Sequence, residues 1–454
     1  MVEVPVKIYI TNLAKKAKLV ARLTAMLTTT VKNQALLVTA DRLMESEAAI
    51  LAANLEDVEA VGKRLEREAG TEAVKRVRFT PDTIKEIADG LRAVAELQDP
   101  VGMVTKVWRR PNGTEVSRVR VPLGVIGVIS ELGPISTVET VALCLKAGNA
   151  CILRVGTDWS RTHQAIMTLF REAAEEAGVP AGGLSFVERP EKEGAMELIR
   201  LNAFVDAIVA RGGVGLRKTV IEQARMPVLC ADGGVCHVYI DADADLPLAQ
   251  NIVVNSKAQD PTQPNSVDTV LVHQAVARPL LPPLVTRLLD EFKIEVHGCP
   301  ATISLAGTPD LSHYSSVKPA TDDDWGKQFL GKVLAMKVVK SMDEALAHIA
   351  RHGPGHADVI VTRDYAAAMR FVREVDSSGV LVNASTRLHE GQEYGLGGQV
   401  GVNVGRMQAR GPISLEELTC QKYVVLGTGQ LRHPHPVPAA YEDAIMLKKE
   451  GRLY

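Results

Sequence analysis

"LGVIGVISELGPISTVETVALCLKAGNACILRV", residues 123–155, carries two short apolar runs with a helical stretch between them. The first run, LGVIGVIS, is bounded by glycine and proline and reads as a buried strand. TVETVALCLKAG has apolar residues at helical spacing and closes at Gly148, a helix-ending glycine. ACILRV is a second buried strand. Working outward, RTHQAIMTLFREAAEEAG (161–178) is a helix ending at Gly178, LSFVE (184–188) a strand, and VDAIVA (205–210) a strand running into RGGVGLRK (211–218). Repeated strand–helix alternation implies a parallel sheet with helices on both faces.

Upstream, residues 7–100 read as helices. TPDTIKEIADGLRAVAEL (80–97) has Thr80 as a cap and Pro81 at the first helical position. GTEVSRVRVP (113–122) alternates apolar and charged residues, as an exposed strand or hairpin arm does. A second α/β block runs from VCHVYID to about residue 405, with strands TVLVH, VLAMKVV, ADVIVT and GVLVNAS. The tail, GPISLEELTCQKYVVLGTGQLR, reads as one helix and one strand that pairs with the 114–122 strand. The division expected is residues 1–105 and 124–237 as a nucleotide-binding-type domain, 238–405 as a catalytic-type domain, and 106–123 with 406–454 as an oligomerisation arm and tail.

The 454 residues carry 52 basic and 54 acidic side chains, a net charge of −2. Without clustered positive charge there is no case for nucleic acid. KKAKLVAR (15–22) is the wet face of a first helix. Six scattered cysteines, none with CxxC spacing, indicate free thiols in a reducing compartment. No apolar stretch reaches the roughly 18–20 residues that span a bilayer, and the N-terminus shows no signal-peptide pattern. The expectation is a soluble, cytoplasmic chain without membrane contact.

Several motifs carry chemistry. RGGVGLRK places a glycine pair between a strand and a helix, where a phosphate can approach free N–H groups; the same glycines also serve a tight turn. In ILRVGTDWS (152–160), Arg154 stands at a strand end, placed for a phosphate or ribose or for solvent. YGLGGQVGVNVG (394–405) lacks the strand–turn–helix context of a dinucleotide fingerprint and reads as a closely packed loop. His352 and His356 in HGPGH are separated by Gly353 and Pro354, which break a helix and argue against a metal site. Cys236 and His237, adjacent on a strand, point to opposite faces, so Cys236 reads as a small buried hydrophobe.

Taken together, VPLGVIGVISELGPISTVETVALCLKAGNACILR, ARGGVGLRKTVIEQARMPVL, VCHVYIDADADL, HIARHGPGHADVIVT, GVLVNASTR and ARGPISLEELTCQKYVV closely resemble the γ-glutamyl phosphate reductase (glutamate-5-semialdehyde dehydrogenase) family of the aldehyde dehydrogenase superfamily. The likeness spans nearly the whole chain. It implies an aldehyde dehydrogenase-like α/β fold: a parallel-sheet nucleotide domain, an α/β catalytic-type domain and a β-hairpin oligomerisation arm. It also implies NADPH-dependent reduction of glutamyl 5-phosphate to glutamate 5-semialdehyde through a cysteine thioester, a step of proline biosynthesis. Arg154, Thr157, Arg211, Gly212, Gly213 and Gln328 fall at NADP(H) positions. Homodimers or larger homo-oligomers, an active paralogue and a glutamate kinase are the partners it suggests.

The same resemblance exposes departures. SKAQDPTQPNSVDTVLVH (256–273) matches the family loop that carries the nucleophilic Cys, and the Cys position is Pro264. Proline has no nucleophile and no backbone N–H, and that N–H is one of two oxyanion donors in the superfamily. The other, a side-chain Asn in the family run YESRPNVT, is Ile135 in SELGPIST. The family Arg of that run is Gly133. The carboxylate of TEYL, matching the one that holds the nicotinamide ribose in the superfamily, is Gln328, which predicts weakened NADP(H) binding. The Glu of GLGAE is Gln399. On an extended loop Ser266 shares a face with position 264 and is the candidate substitute nucleophile, with Thr262 behind it, but only Asp268 offers a base. The residues therefore predict no intact catalytic set: an inactive or strongly impaired paralogue with a binding or regulatory role. The alternative is an active member with altered chemistry, still reducing an acyl phosphate or oxidising an aldehyde with NADP.

Overall fold

In the computed structural model, residues 4–69, 74, 77–189, 191–230, 234–306, 316–406 and 409–431 are described. They form two compact units, 1–228 with 415–454, and 229–414. Residues 229–237 and 406–414 thus fall in the second unit, outside the segments that the sequence reading grouped them with. Beyond 431 the tail lies outside the described residues.

The first unit begins with α1 (Val6–Thr24), α2 (Thr29–Glu45), α3 (Glu47–Ala69) and α4 (Pro81–Glu96). In α1, Ile10, Ala14, Ala17 and Ala21 are buried at three- and four-residue spacing, the stripe that an amphipathic helix turns inward. The Thr80 side chain accepts the Thr83 amide in a capping box, with Pro81 in the first turn, as the sequence predicted. Strands β1 (Val104–Arg109) and β2 (Glu115–Pro122) form an antiparallel hairpin.

From there the chain alternates β3 (Val125–Ser130), α5 (Pro134–Lys146), β4 (Ala150–Val155), α6 (Ser160–Glu176), β5 (Leu184–Phe186), α7 (Lys192–Leu198), β6 (Ala207–Arg211), α8 (Val214–Gln223) and β7 (Val228–Cys230). The sheet order is β5-β4-β3-β6-β7. Pairs β3–β4, β3–β6 and β4–β5 are parallel. Every residue of β3 and β4 is buried, which is why these strands read as unbroken apolar runs. Gly124, at φ +126°, is required by close approach: a Cβ there would lie 2.2 Å from Asp206 Oδ2, the oxygen that accepts the Val125 amide.

The second unit holds β8 (His237–Ile240), α9 (Leu246–Ala258), β9 (Thr269–His273), α10 (Gln274–Asp290), β10 (Glu295–Gly298), α11 (Pro300–Ala306), β11 (Val317–Pro319), β12 (Val333–Val339), α12 (Met342–His352), β13 (Ala357–Val361), α13 (Tyr365–Glu374) and β14 (Gly379–Val382). The strands form one parallel sheet in the order β11-β10-β12-β9-β8-β13-β14. Alternate residues enter different cores. Val238, Ile240, Val270, Val272, Val359 and Val361 belong to one; Tyr239, Leu271 and Ile360 belong to the other. Both faces are therefore covered.

The short strands β15 (Gly401–Asn403) and β16 (Gly411–Ile413) pair antiparallel, so the run read as a loop at 394–405 ends in a strand. The last strand, β17 (Thr419–Leu426), pairs antiparallel with β2 from Thr419–Pro122 to Leu426–Glu115, completing the sheet β1-β2-β17. The helix expected in GPISLEELTC is absent: residues 415–418 form a turn. Only five residues separate β16 from β17, and the Thr419 hydroxyl bonds Glu416 O at 2.6 Å, tightening the turn. No helix among the described residues is long and apolar enough to cross a membrane.

Candidate functional site

In the first unit, strand order reverses direction at β3. Later strands are added on one side as far as β5 and then on the other from β6. Ligands of open parallel sheets bind beyond the carboxyl ends at such a switch point. Here those ends present Ser130 beside Arg211, and the Glu131 amide donates to Arg211 O at 2.8 Å. Gly212 is a packing glycine, since a Cβ would meet Glu131 Oε2 and Leu216 Cδ2, each at 2.8 Å. Gly213 and Gly215 have nothing within 4 Å of that position, so the first turn of α8 leaves backbone room for a phosphate.

The two arginines differ from solvated strand-end side chains. Arg154 is buried, and burial lowers its pKa against the nearby Glu131, Glu191 and Glu193 carboxylates. Arg211 is pushed down to about 10 by burial. Its Nη1 donates to Ser136 O at 2.9 Å and Thr140 Oγ1 at 2.7 Å, so it ties the strand end to α5, and its Nε has no hydrogen-bond partner. The Thr157 hydroxyl donates to Asp158. Ile135 is 36% exposed in the first turn of α5, and a Cβ on Gly133 would rest 3.5 Å from the Trp159 ring.

In the second unit, the chain from α9 into β9 places Pro264 at the amino ends of the parallel strands, not at their carboxyl ends. Cys236 precedes β8, Asp268 precedes β9 and His356 precedes β13. The Asp260 carboxylate accepts Thr262 N, Thr262 Oγ1 and Gln263 Nε2 at 3.0, 2.7 and 3.1 Å, an Asx turn that folds the loop locally. The Asn265 amide donates to Arg387 O and His389 O. Pro264 is exposed whereas Ser266 is buried. The two do not share a face, because Ser266 N bonds back to Gln263 O at 3.0 Å and the segment is a turn, not a strand.

Ser266 Oγ has no hydrogen-bond partner. Asp268 is engaged elsewhere: its oxygens accept Phe329 N at 3.0 Å and Cys236 N at 3.4 Å, and Lys257 Nζ lies 3.8 Å away. Burial raises Asp268 to about 6 and lowers Lys257. The expected Ser266–Asp268 pair is therefore not formed. Gln328 Nε2 donates to Gly234 O at 3.2 Å and Pro264 O at 3.3 Å. Gln399 Oε1 accepts the Gly391 amide at 3.0 Å.

One partnership escaped the sequence reading. Cys236 does not pair with His237, which bonds Asp358 at 2.7 Å; its Sγ lies 3.4 Å from His356 Nδ1 and 3.5 Å from Pro264 O. The 120 residues between Cys236 and His356 leave no local signal of it. Among the described residues, no group of three or more His, Cys, Asp or Glu side chains could hold a metal ion.

A family model described as the aldehyde dehydrogenase family matches residues 14–299. The γ-glutamyl phosphate reductase of Heliobacterium modesticaldum is 44% identical over 418 residues, covering 92% of this chain and 97% of the relative. The chain belongs to the γ-glutamyl phosphate reductase family. Its Carboxydothermus hydrogenoformans relative of the same name is 43% identical, with 93% of this chain and 99% of the relative covered. The crystal structure of γ-glutamyl phosphate reductase from Thermotoga maritima superposes with a TM-score of 0.87 at 38% identity, over 93% of this chain and 99% of that one. The aldehyde dehydrogenase-like α/β fold follows directly.

Proposed function

We propose that this chain is a γ-glutamyl phosphate reductase paralogue that binds dinucleotide without supporting thioester chemistry, and that it acts in the cytoplasm by binding or regulation. The observation that carries this reading is the state of position 264. The residue there has no nucleophile, its carbonyl is bonded by Gln328, and Ser266 has no base within hydrogen-bonding distance. Losing the nucleophile removes covalent catalysis, and losing one oxyanion donor alone costs about 10²–10³ in rate. A second reading, altered chemistry from a relocated thiol, is favoured by Cys236 beside Pro264 O. Against it, Cys236 is fully buried and burial raises its pKa well above the usual thiol range. Assaying NADPH oxidation with glutamyl 5-phosphate separates the two: the first reading expects none.

The residues at the switch point fit NADP(H). Gly213 and Gly215 leave space for the phosphates, and Arg154, Thr157 and the Arg211–Gly213 turn would line the site. A bound nicotinamide supplies the hydride in this superfamily. In the 229–414 unit Gln328 gives an amide already engaged with two carbonyls, where the resemblance implies a carboxylate for the nicotinamide ribose. Replacing a charged acceptor should weaken affinity about tenfold or more. Calorimetry is expected to show this deficit relative to a cysteine-bearing family member; equal affinity would contradict the role assigned to Gln328.

We also propose a homodimer or larger homo-oligomer through the β1-β2-β17 sheet. Val104, Val107, Tyr423, Val425 and Leu426 are exposed on its two edge strands, and open apolar edges invite pairing with another chain. Sedimentation at micromolar concentration is expected to give no monomer; a monomer would refute the arm's role.

A further inference from the structure

Two backbone carbonyls at the amino end of the second sheet are each approached by the same two side chains. Gln328 Nε2 donates to Gly234 O and Pro264 O. Cys236 Sγ faces the same pair at 3.8 and 3.5 Å. A thiol has one hydrogen and cannot serve both carbonyls and His356 together, so the Gln328 amide is the side-chain donor that ties Pro264 to the segment leading into β8, while Asn265 anchors the end of the loop to Arg387 O and His389 O. Cys236 and His356 are fully buried, and His356 Nε2 has no hydrogen-bond partner. Neither has Lys257 Nζ, which is fully buried as well. An ordinary core thiol has no such surroundings. Cys144 and Cys151, in the first unit, lie within an apolar helix and strand.

We propose that Cys236 is a latched thiol, a modification site for small soft carbon electrophiles that the Gln328 amide and the 260–264 loop keep shut. When the loop lifts, sulfur meets the electrophile with His356 Nδ1 3.4 Å away as proton acceptor. With iodoacetamide the step balances simply. The sulfur forms a C–S bond to the methylene carbon, the C–I bond breaks, iodide leaves with the bonding pair, and the thiol proton passes to His356. In the closed state burial holds the thiol protonated, so the site is silent until opened. A glutamate at 328 would set a carboxylate against two carbonyl oxygens, with no hydrogen to donate to either.

The test is native-state iodoacetamide labelling followed by peptide mass analysis, and it does not depend on turnover. Exposed Cys420 checks the reagent, buried Cys144 and Cys151 report unfolding of the first unit, and half-buried Cys299 reports unfolding of the 229–414 unit that holds Cys236. Gln328→Glu is expected to label Cys236 about tenfold faster or more than the unaltered protein, with Cys299, Cys144 and Cys151 unchanged. Asp260→Ala, which removes the Asx turn from the far side of the loop, should act in the same direction even if Gln328→Glu folds poorly. Unchanged Cys236 labelling in both variants would overturn the latch. So would acceleration that Cys299, in the same unit, shares, since the thiol would then be reached only by unfolding.

Discussion

Pro264→Cys alone is expected to leave turnover far below that of the family, and Pro264→Cys with Ile135→Asn to exceed the single change by about 10²–10³ in rate. The single change returns a thiol and a backbone N–H together, since cysteine has the donor that proline lacks. The side-chain donor would still be missing, because Ile135 is apolar. Both substitutions suit the fold. Pro264 is exposed on a turn, and Ile135, 36% exposed in the first turn of α5, is a position where asparagine costs little. The two effects should be non-additive, because the resemblance implies that the two superfamily donors serve one oxyanion. Gln328→Glu is a third change that restores the family's ribose carboxylate and also releases Pro264 O. The measurement is NADP reduction with glutamate 5-semialdehyde and phosphate. Family-like turnover from Pro264→Cys alone would show that Ile135 matters less than its position implies.

Acidification from pH 6.5 to about 4 is expected to unfold the 229–414 unit ahead of the first. Burial holds His356 and His389 down at about 4. Burial first, then repulsion from neighbouring side chains such as Lys337, holds His348 at about 3. Their unfolded value is 6.5, so between pH 6.5 and 4 only the unfolded chain takes these protons. Stability is present above 6.5 and is lost as pH falls. Asp268 has the opposite sign: raised to about 6, it takes its proton in the folded state first and offsets one histidine. Near pH 5 the unfolded unit binds about two more protons, a slope of roughly 3 kcal/mol per pH unit. Stabilities of about 5–15 kcal/mol do not survive two such units by much. In the first unit His163, at about 4, is the matching buried histidine among the described residues, so its decline should be shallower. Trp325 fluorescence, with Trp108 and Trp159 replaced by phenylalanine, follows the second unit alone. His389→Gln should flatten the acid limb by about one proton's worth; an unchanged limb would count against buried neutral histidines as its cause.

The central strands of both sheets were legible because they are covered on two faces, so LGVIGVIS, ACILRV and TVLVH are continuous apolar runs; the short strands β7, β10 and β11 were not, and β10 and β11 are only partly buried. The helix at 81–96 was legible because Thr80 and Pro81 mark its start. Other features were not. Pro279, Pro282 and Pro283 lie inside α10 and locally argue against a helix; tertiary burial of Leu280, Leu281, Leu284, Leu288 and Leu289 overrides them. The tail turn at 415–418 looked helical because Leu415 and Leu418 flank two glutamates at helical spacing, yet only five residues separate β16 from β17, room for one turn and no more. At the site, the resemblance located Pro264, Ile135 and Gln328, but alternation misassigned Ser266 because residues 260–266 are a chain of turns. Gln328 meets Pro264 across 64 residues of sequence, and contacts of that separation leave no periodic trace.

Steady-state assay of the unaltered protein for NADP reduction with glutamate 5-semialdehyde and phosphate, with and without a thiol reagent, tests the central claim most directly. The account predicts no turnover above background in either condition, alongside measurable NADP(H) binding. Clear turnover that resists the reagent would contradict it and point to Ser266 or an unrecognised group, and clear turnover abolished by the reagent would contradict it in favour of Cys236.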